Sequence, residues 1–181
     1  TYERFMGLVG DSDRATEAAQ DMANLAEAGG DVDTWYGIAA GTVARFGDAL
    51  PVENLIESAN ETARTGTVVG GMADALNWAG ASAEQWGQAL AGHSDAQAAF
   101  NAAVAEGKSV EDAMNEALST TSDTTERQAI LQDALNAIYG ETGAVYQQNN
   151  QDLIESREAQ ARLNEALADM GEAIAPAATQ V

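Results

Sequence analysis

From Asp11 to Thr124 the chain alternates apolar stripes of helical period with residues that stop or start helices, and this punctuation limits the fold more than any other feature. The clearest stretch is Phe46 to Ser82, FGDALPVENLIESANETARTGTVVGGMADALNWAGAS. Gly47-Asp48 closes the preceding segment, and Pro51 stands where a first-turn proline loses no hydrogen bond. Val52, Leu55, Ile56, Ala59 and Ala63 then share one helical face, with Glu53, Asn54, Glu57, Asn60 and Glu61 on the opposite one. Gly66 is placed to end this helix in a left-handed conformation, which costs glycine little. Beyond Gly70-Gly71 a second face runs through Met72, Ala75, Leu76 and Ala79, and Ser82 caps the next helix. Trp78 lies on the edge of that stripe and is expected to wedge, buried, against the helix from Pro51. The stretch predicts a helical hairpin and no chemistry.

The same punctuation divides the rest of the chain. Asp11-Ser12-Asp13 caps a helix buried through Ala15, Ala18, Ala19, Met22, Leu25 and Ala26, and Gly29-Gly30 breaks it. A helix through Trp35, Ile38, Ala39, Thr42 and Phe46 comes next. Ser82-x-x-Gln85 and Ser94-x-x-Gln97 read as capping boxes opening two short helices, and Ser109 caps another after a stop at Gly107. Residues 1–10 are too short to assign alone. Ser119 to Thr124 is the most loop-like run. After it one helical pattern continues from Thr125 to about Ile174, ending before Pro176, with Gly140 and Gly143 weakening it. Its last part carries a stripe of alternating four and three steps, Asn149, Leu153, Ser156, Gln160, Leu163, Leu167, Met170 and Ile174. Because some positions are polar, it is expected to pack on neighbouring helices rather than to form an autonomous zipper. No strand-length alternation of period two occurs. The expected fold is all-α, a multi-helix bundle of about eight helices with a long C-terminal helix: residues 1–123 as a compact bundle, 124–176 as a long segment packing on it or projecting from it.

Composition excludes more than it assigns. The 181 residues carry a net charge of −21, from 29 Asp and Glu against 8 Lys and Arg. That balance opposes binding to nucleic acid or to an anionic membrane surface, and no basic patch offsets it. Hydrophobic residues make up 45% but aromatics only 6%, so the core must rely on small side chains and close helix approach. With no cysteine, neither disulfides nor thiolate zinc sites can form. No signal peptide or membrane-length apolar run is visible.

Four stretches invite a site reading. Ala102 to Ser109, AAVAEGKS, lacks the first glycine and the preceding strand of a phosphate loop, and reads as a helix stop followed by a cap. Asp11-Ser12-Asp13 has Thr16 and Met22 where a calcium loop needs glycine and glutamate. The sole histidine, His93, sits in a connection whose sequence neighbours supply no general-base partner. Glu53, Glu57 and Glu61, four apart, would suit a hard cation but are expected to form a solvated face. Trp35, Trp78 and Trp86 fall on apolar stripes, as core or inter-helix wedges. No catalytic residue, cofactor site or metal site is assigned, and the expectation is a non-enzyme.

FGDALPVENLIESANETARTG with ADALNWAG, together with FMGLVGDSDRATEAAQ (Phe5 to Gln20), TERQAILQDALNAIYG (Thr125 to Gly140) and YQQNNQDLIESREAQARLNEALADMGEAIAP (Tyr146 to Pro176), resembles tail tape measure proteins of long-tailed bacteriophages. The pieces occur in that family's order; Ser94 to Thr121 matches least and reads as a variable insertion. The chain looks like an excised piece of such a protein, from just before its long apolar region. The resemblance implies a rod-like helical protein that fills the tail tube, sets tail length and leaves ahead of the DNA. It implies as partners the tail tube protein, tail assembly chaperones and tip proteins, with self-association a further expectation. It places the chain in the virion tail, and in the host cytoplasm during assembly, and carries over no catalytic residues. The rival expectations are an enzyme or metal-binding module of a mobile element, with the row Glu53, Glu57 and Glu61 as its best feature, and a non-catalytic acidic interaction module, such as a bacterial regulatory or adhesin-like domain.

Overall fold

The computed structural model describes the backbone of residues 1–179 and the side chains of residues 1–172. Among the described residues the chain is all-helical: α1 (Tyr2–Val9), α2 (Ser12–Glu27), α3 (Val32–Phe46), a short 3-10 turn (Gly47–Ala49), α4 (Val52–Thr65), α5 (Gly70–Asn77), α6 (Ala83–Ala89), α7 (Ser94–Ala105), α8 (Val110–Leu118), α9 (Thr124–Asn149) and α10 (Gln151–Thr179). Ten α-helices replace the expected eight or so for two reasons. The first ten residues do form a helix, because Phe5, Met6 and Leu8 find a core to enter. The long C-terminal helix is divided at Asn150 (φ −120°, ψ 22°). Its second half also runs through Pro176 to Thr179. A proline there removes one internal hydrogen bond and crowds the carbonyl four residues earlier, a cost this last turn carries.

Local signals act where the residues put them. Gly66 ends α4 at φ 78°, and Ser82 with Gln85 forms the reciprocal capping box of α6. The second expected box does not form. His93, not Ser94, is the N-cap of α7, and Gln97 donates to the Gly87 carbonyl instead, at 3.0 Å.

One core runs through the bundle, and its centre is the parallel pair α3 and α9, which meet at Asp31 with Gln132 and again at Arg45 with Thr142. Trp35, Ile38 and Ala39 of α3 and Ile130, Leu131, Ala134, Leu135 and Tyr139 of α9 are all buried in it. The backbones come together at glycine: a Cβ on Gly41 would overlap the Tyr139 carbonyl, and one on Gly143 the Gly37 carbonyl. Small residues are what let two helices approach so closely. Buried Gln128 accepts from Trp35 Nε1 at 2.8 Å, satisfying a polar atom that burial would otherwise penalise. Helix α4 packs on α2, α5 and α9, while α7 and α8 form a hairpin against α6 and α5.

Helix α10 turns away from α9 and lies antiparallel on α1. Ile154 sits against Gly7, Arg157 donates to the Leu8 carbonyl at 3.2 Å, and Arg162 approaches Glu3 at 3.8 Å. Ile154 and Ala161 are buried there. The expected stripe faces elsewhere: Leu153, Leu163, Leu167 and Met170 are exposed rather than packed on neighbours, Leu153 because Ile154 takes the face towards α1, and the others because α10 continues past the start of α1. Ile174 of that stripe lies outside the described side chains. Among the described residues no helix is long and apolar enough to cross a membrane.

Candidate functional site

The histidine has a partner from a distant segment. His93 Nε2 lies 2.7 Å from Asp133 Oδ2 of α9, with the imidazole 22% exposed. A surface groove of about 350 Å³ opens beside it, with Asp95, Thr121 and Glu126 on its walls. A carboxylate-oriented imidazole is half of a general-base arrangement. Among the described residues no hydroxyl or further side chain hydrogen-bonds to it; the pair ties the α6–α7 connection to α9. Asp133 stands 40 positions away in sequence, and only the fold reveals it.

The glutamate row does not stay a row. Residues four apart advance by about 40° around a helix of 3.6 residues per turn, so Glu53 and Glu61 are turned about 80° from each other, while Glu57 and Glu61 line one groove. Glu53 is buried against α2, where Arg14 Nε donates to its Oε1 at 2.8 Å, correcting the expected solvated face. Arg14 also reaches Asp48 at 3.2 Å. Its own ionisation is pushed upward, chiefly by the hydrogen bond to Glu53. Glu53 Oε2 is buried without a hydrogen-bond partner. Glu57 is exposed and faces Asp21, whose carboxyl is raised above its ordinary range by burial first, then by Glu57 and Glu17. Glu61 is exposed beside the start of α5. Among the described residues no three His, Asp or Glu side chains converge as metal ligands.

The Gly107-Lys108-Ser109 stretch is a stop and a cap: Gly107 has φ 83°, and the Ser109 hydroxyl accepts from the Asp112 N–H at 3.1 Å. Asp11 likewise caps α2 through the Arg14 N–H at 3.0 Å.

Of the three tryptophans, Trp35 and Trp86 are core, as expected, and Trp78 is not. Trp78 follows the last turn of α5, where Met72, Ala75 and Leu76 already take the buried face, and is 45% exposed. It stands edge-on to Phe46 at 5.8 Å, and Phe46 edge-on to Tyr139 at 6.2 Å. Beside them Arg45 lies over the Tyr139 ring at 4.8 Å and donates to the carbonyls of Ala79 and Ile138 at 3.0 and 3.1 Å. Among the described residues apolar side chains thus reach solvent around Trp78, at Val145 and Leu153 on either side of Asn150, and along Leu163, Leu167 and Met170 of α10. Exposed aromatic and aliphatic groups of this kind belong to contact surfaces more than to catalysis.

Comparison of the chain with known protein families, characterised proteins and solved structures returns no match.

Proposed function

We propose that this chain is a structural segment of a phage tail tape measure protein, helping to set tail length and to fill the tail tube during assembly. The observation that carries the proposal is the ordered resemblance of four segments, Phe5 to Gln20, Phe46 to Gly80, Thr125 to Gly140 and Tyr146 to Pro176. An all-helical body with two long helices, α9 and α10, is compatible with it, as are the apolar surfaces around Trp78 and along α10. In this reading the tail tube protein, assembly chaperones and tip proteins are the partners, and the virion tail is the location.

The test is an in-frame deletion of Asn149 to Ala175 from the full-length parent. A helix rises about 1.5 Å per residue, so a ruler shortened by this run gives tails about 40 Å shorter in electron micrographs. Tails of unchanged length reject the ruler role for this stretch.

A second reading, a non-catalytic acidic interaction module of a mobile element or bacterial protein, is favoured by the exposed Trp78 and Leu163–Met170 surfaces. Under it the deletion leaves tails unaltered, and Trp78→Ala abolishes retention of a cellular partner without unfolding the chain.

A further inference from the structure

We propose that α9 and α10 are two halves of one helix, held bent by α1, and that the junction at Asn150 straightens when α10 leaves α1. Local sequence favours the straight form. From Ala144 to Met170 there is neither glycine nor proline, so no backbone breaker accounts for the bend. The hydrogen-bond ladder nearly survives it. The Asn150 N–H still donates to the Tyr146 carbonyl at 3.0 Å, and the Ile154 N–H to the Asn150 carbonyl at 2.9 Å. What is missing are the helical partners of the first N–H groups of α10. Only Asn150 leaves helical torsions, and its side-chain Nδ2 doubles the bond to the Tyr146 carbonyl at 2.9 Å. Asparagine is a weak helix former that accepts such a position cheaply.

Tertiary contacts favour the bent form, and they all lie along one face of α10, where Gly7 of α1 and Gly10 at its end let the two helices close on each other. Ile154 and Ala161 are the buried apolar anchors of α10, with Arg157 bound to the end of α1. Gln147 of α9 and Glu158 of α10 consequently line one groove with Arg4 and Tyr36. Local preference and tertiary packing therefore disagree at Asn150, the condition for a two-state element. Straightening restores helical bonds at the junction and uncovers the face of α1 around Gly7. It depends on nothing in the tail assignment.

The chain has no cysteine, so spin labels can be placed on the whole protein at Ala137→Cys and Glu165→Cys, both exposed positions. In a continuous helix these sites are separated by about 42 Å. The parent is expected to give a shorter distance. Ile154→Ala with Arg157→Ala, which loosens the dock, and separately Asn150→Ala, which removes the weak helix former and leaves the dock intact, should each shift population to about 42 Å. A distribution unmoved in both variants, with helical circular dichroism retained, overturns the proposal. So does a broad distribution reporting that α10 melts rather than realigns.

Discussion

Asp21 illustrates how an acidic surface strains individual residues. Its raised carboxyl means the folded chain holds more protons than the unfolded one between the ordinary value of 3.8 and the folded value. Its contribution therefore favours folding as pH falls into that window, and is lost as pH rises through the folded value. At neutral pH Asp21→Asn should raise the melting temperature, and an unchanged or lowered one would contradict this origin of the strain. Tyr36 and Tyr139 behave in the same sense at the other end of the scale. Burial pushes both from 10.0 up to about 12, with Glu158 adding to the rise at Tyr36 and Arg45 opposing it at Tyr139. The folded state keeps these protons while the unfolded state releases them, so stability should decline as pH rises above 10. Tyrosine ultraviolet difference spectra should show part of the ionisation arriving with unfolding; all tyrosines ionising near pH 10 with helicity intact would refute it. The tryptophans separate by burial. Trp86→Ala should cost about 3–5 kcal/mol in denaturant unfolding, whereas Trp78→Ala should cost under about 1 kcal/mol, as for a half-exposed side chain.

At the scale of elements, the helix pair at the centre makes a sharp comparison among glycines of one helix and its partner. Gly41→Ala and Gly143→Ala put a methyl group into a facing backbone carbonyl, and should each destabilise by about 1–3 kcal/mol. Gly37→Ala meets nothing within 4 Å and should instead be neutral or stabilising by up to about 1 kcal/mol. Equal effects at Gly37 and Gly41 in thermal melts would show that the pair is not held by close backbone approach. Most helices and several caps are legible in the sequence, because 3.6-residue periodicity, Gly66, Ser82 and Ser109 act within a few positions of themselves. Where structure and sequence part, the cause lies far along the chain. The stripe of α5 points Trp78 inward, but the turns before it already fill the interface. The row of glutamates points Glu53 to solvent, but Arg14 on another helix draws it inward. The Asn150 division has no glycine or proline to announce it; its one local signal is an asparagine whose side chain enters the helical ladder, and the packing of α10 on α1 selects the bend. Gln128 carries no signal of its role, as nothing in a helix pattern says that Trp35 needs an acceptor.

For the molecule as a whole, a net charge of −21 is self-repulsion spread over a small body. Raising monovalent salt from about 0.01 to about 1 M shrinks the Debye length from about 30 to about 3 Å. The melting temperature should therefore climb with salt; an unchanged one would show that the acidic groups are too dispersed to matter. The molecule also divides into parts of unequal coherence. Beyond Arg162, α10 has passed the start of α1, and Leu163 to Glu172 lie almost wholly exposed. A helix that short has little cooperativity of its own. Its amide hydrogens must therefore exchange with solvent by local fraying, at rates indifferent to anything that strengthens the core. Those of α3 and α9 wait for global opening. One polypeptide thus keeps two clocks, and only the slower one is set by the close-packed glycines at its centre.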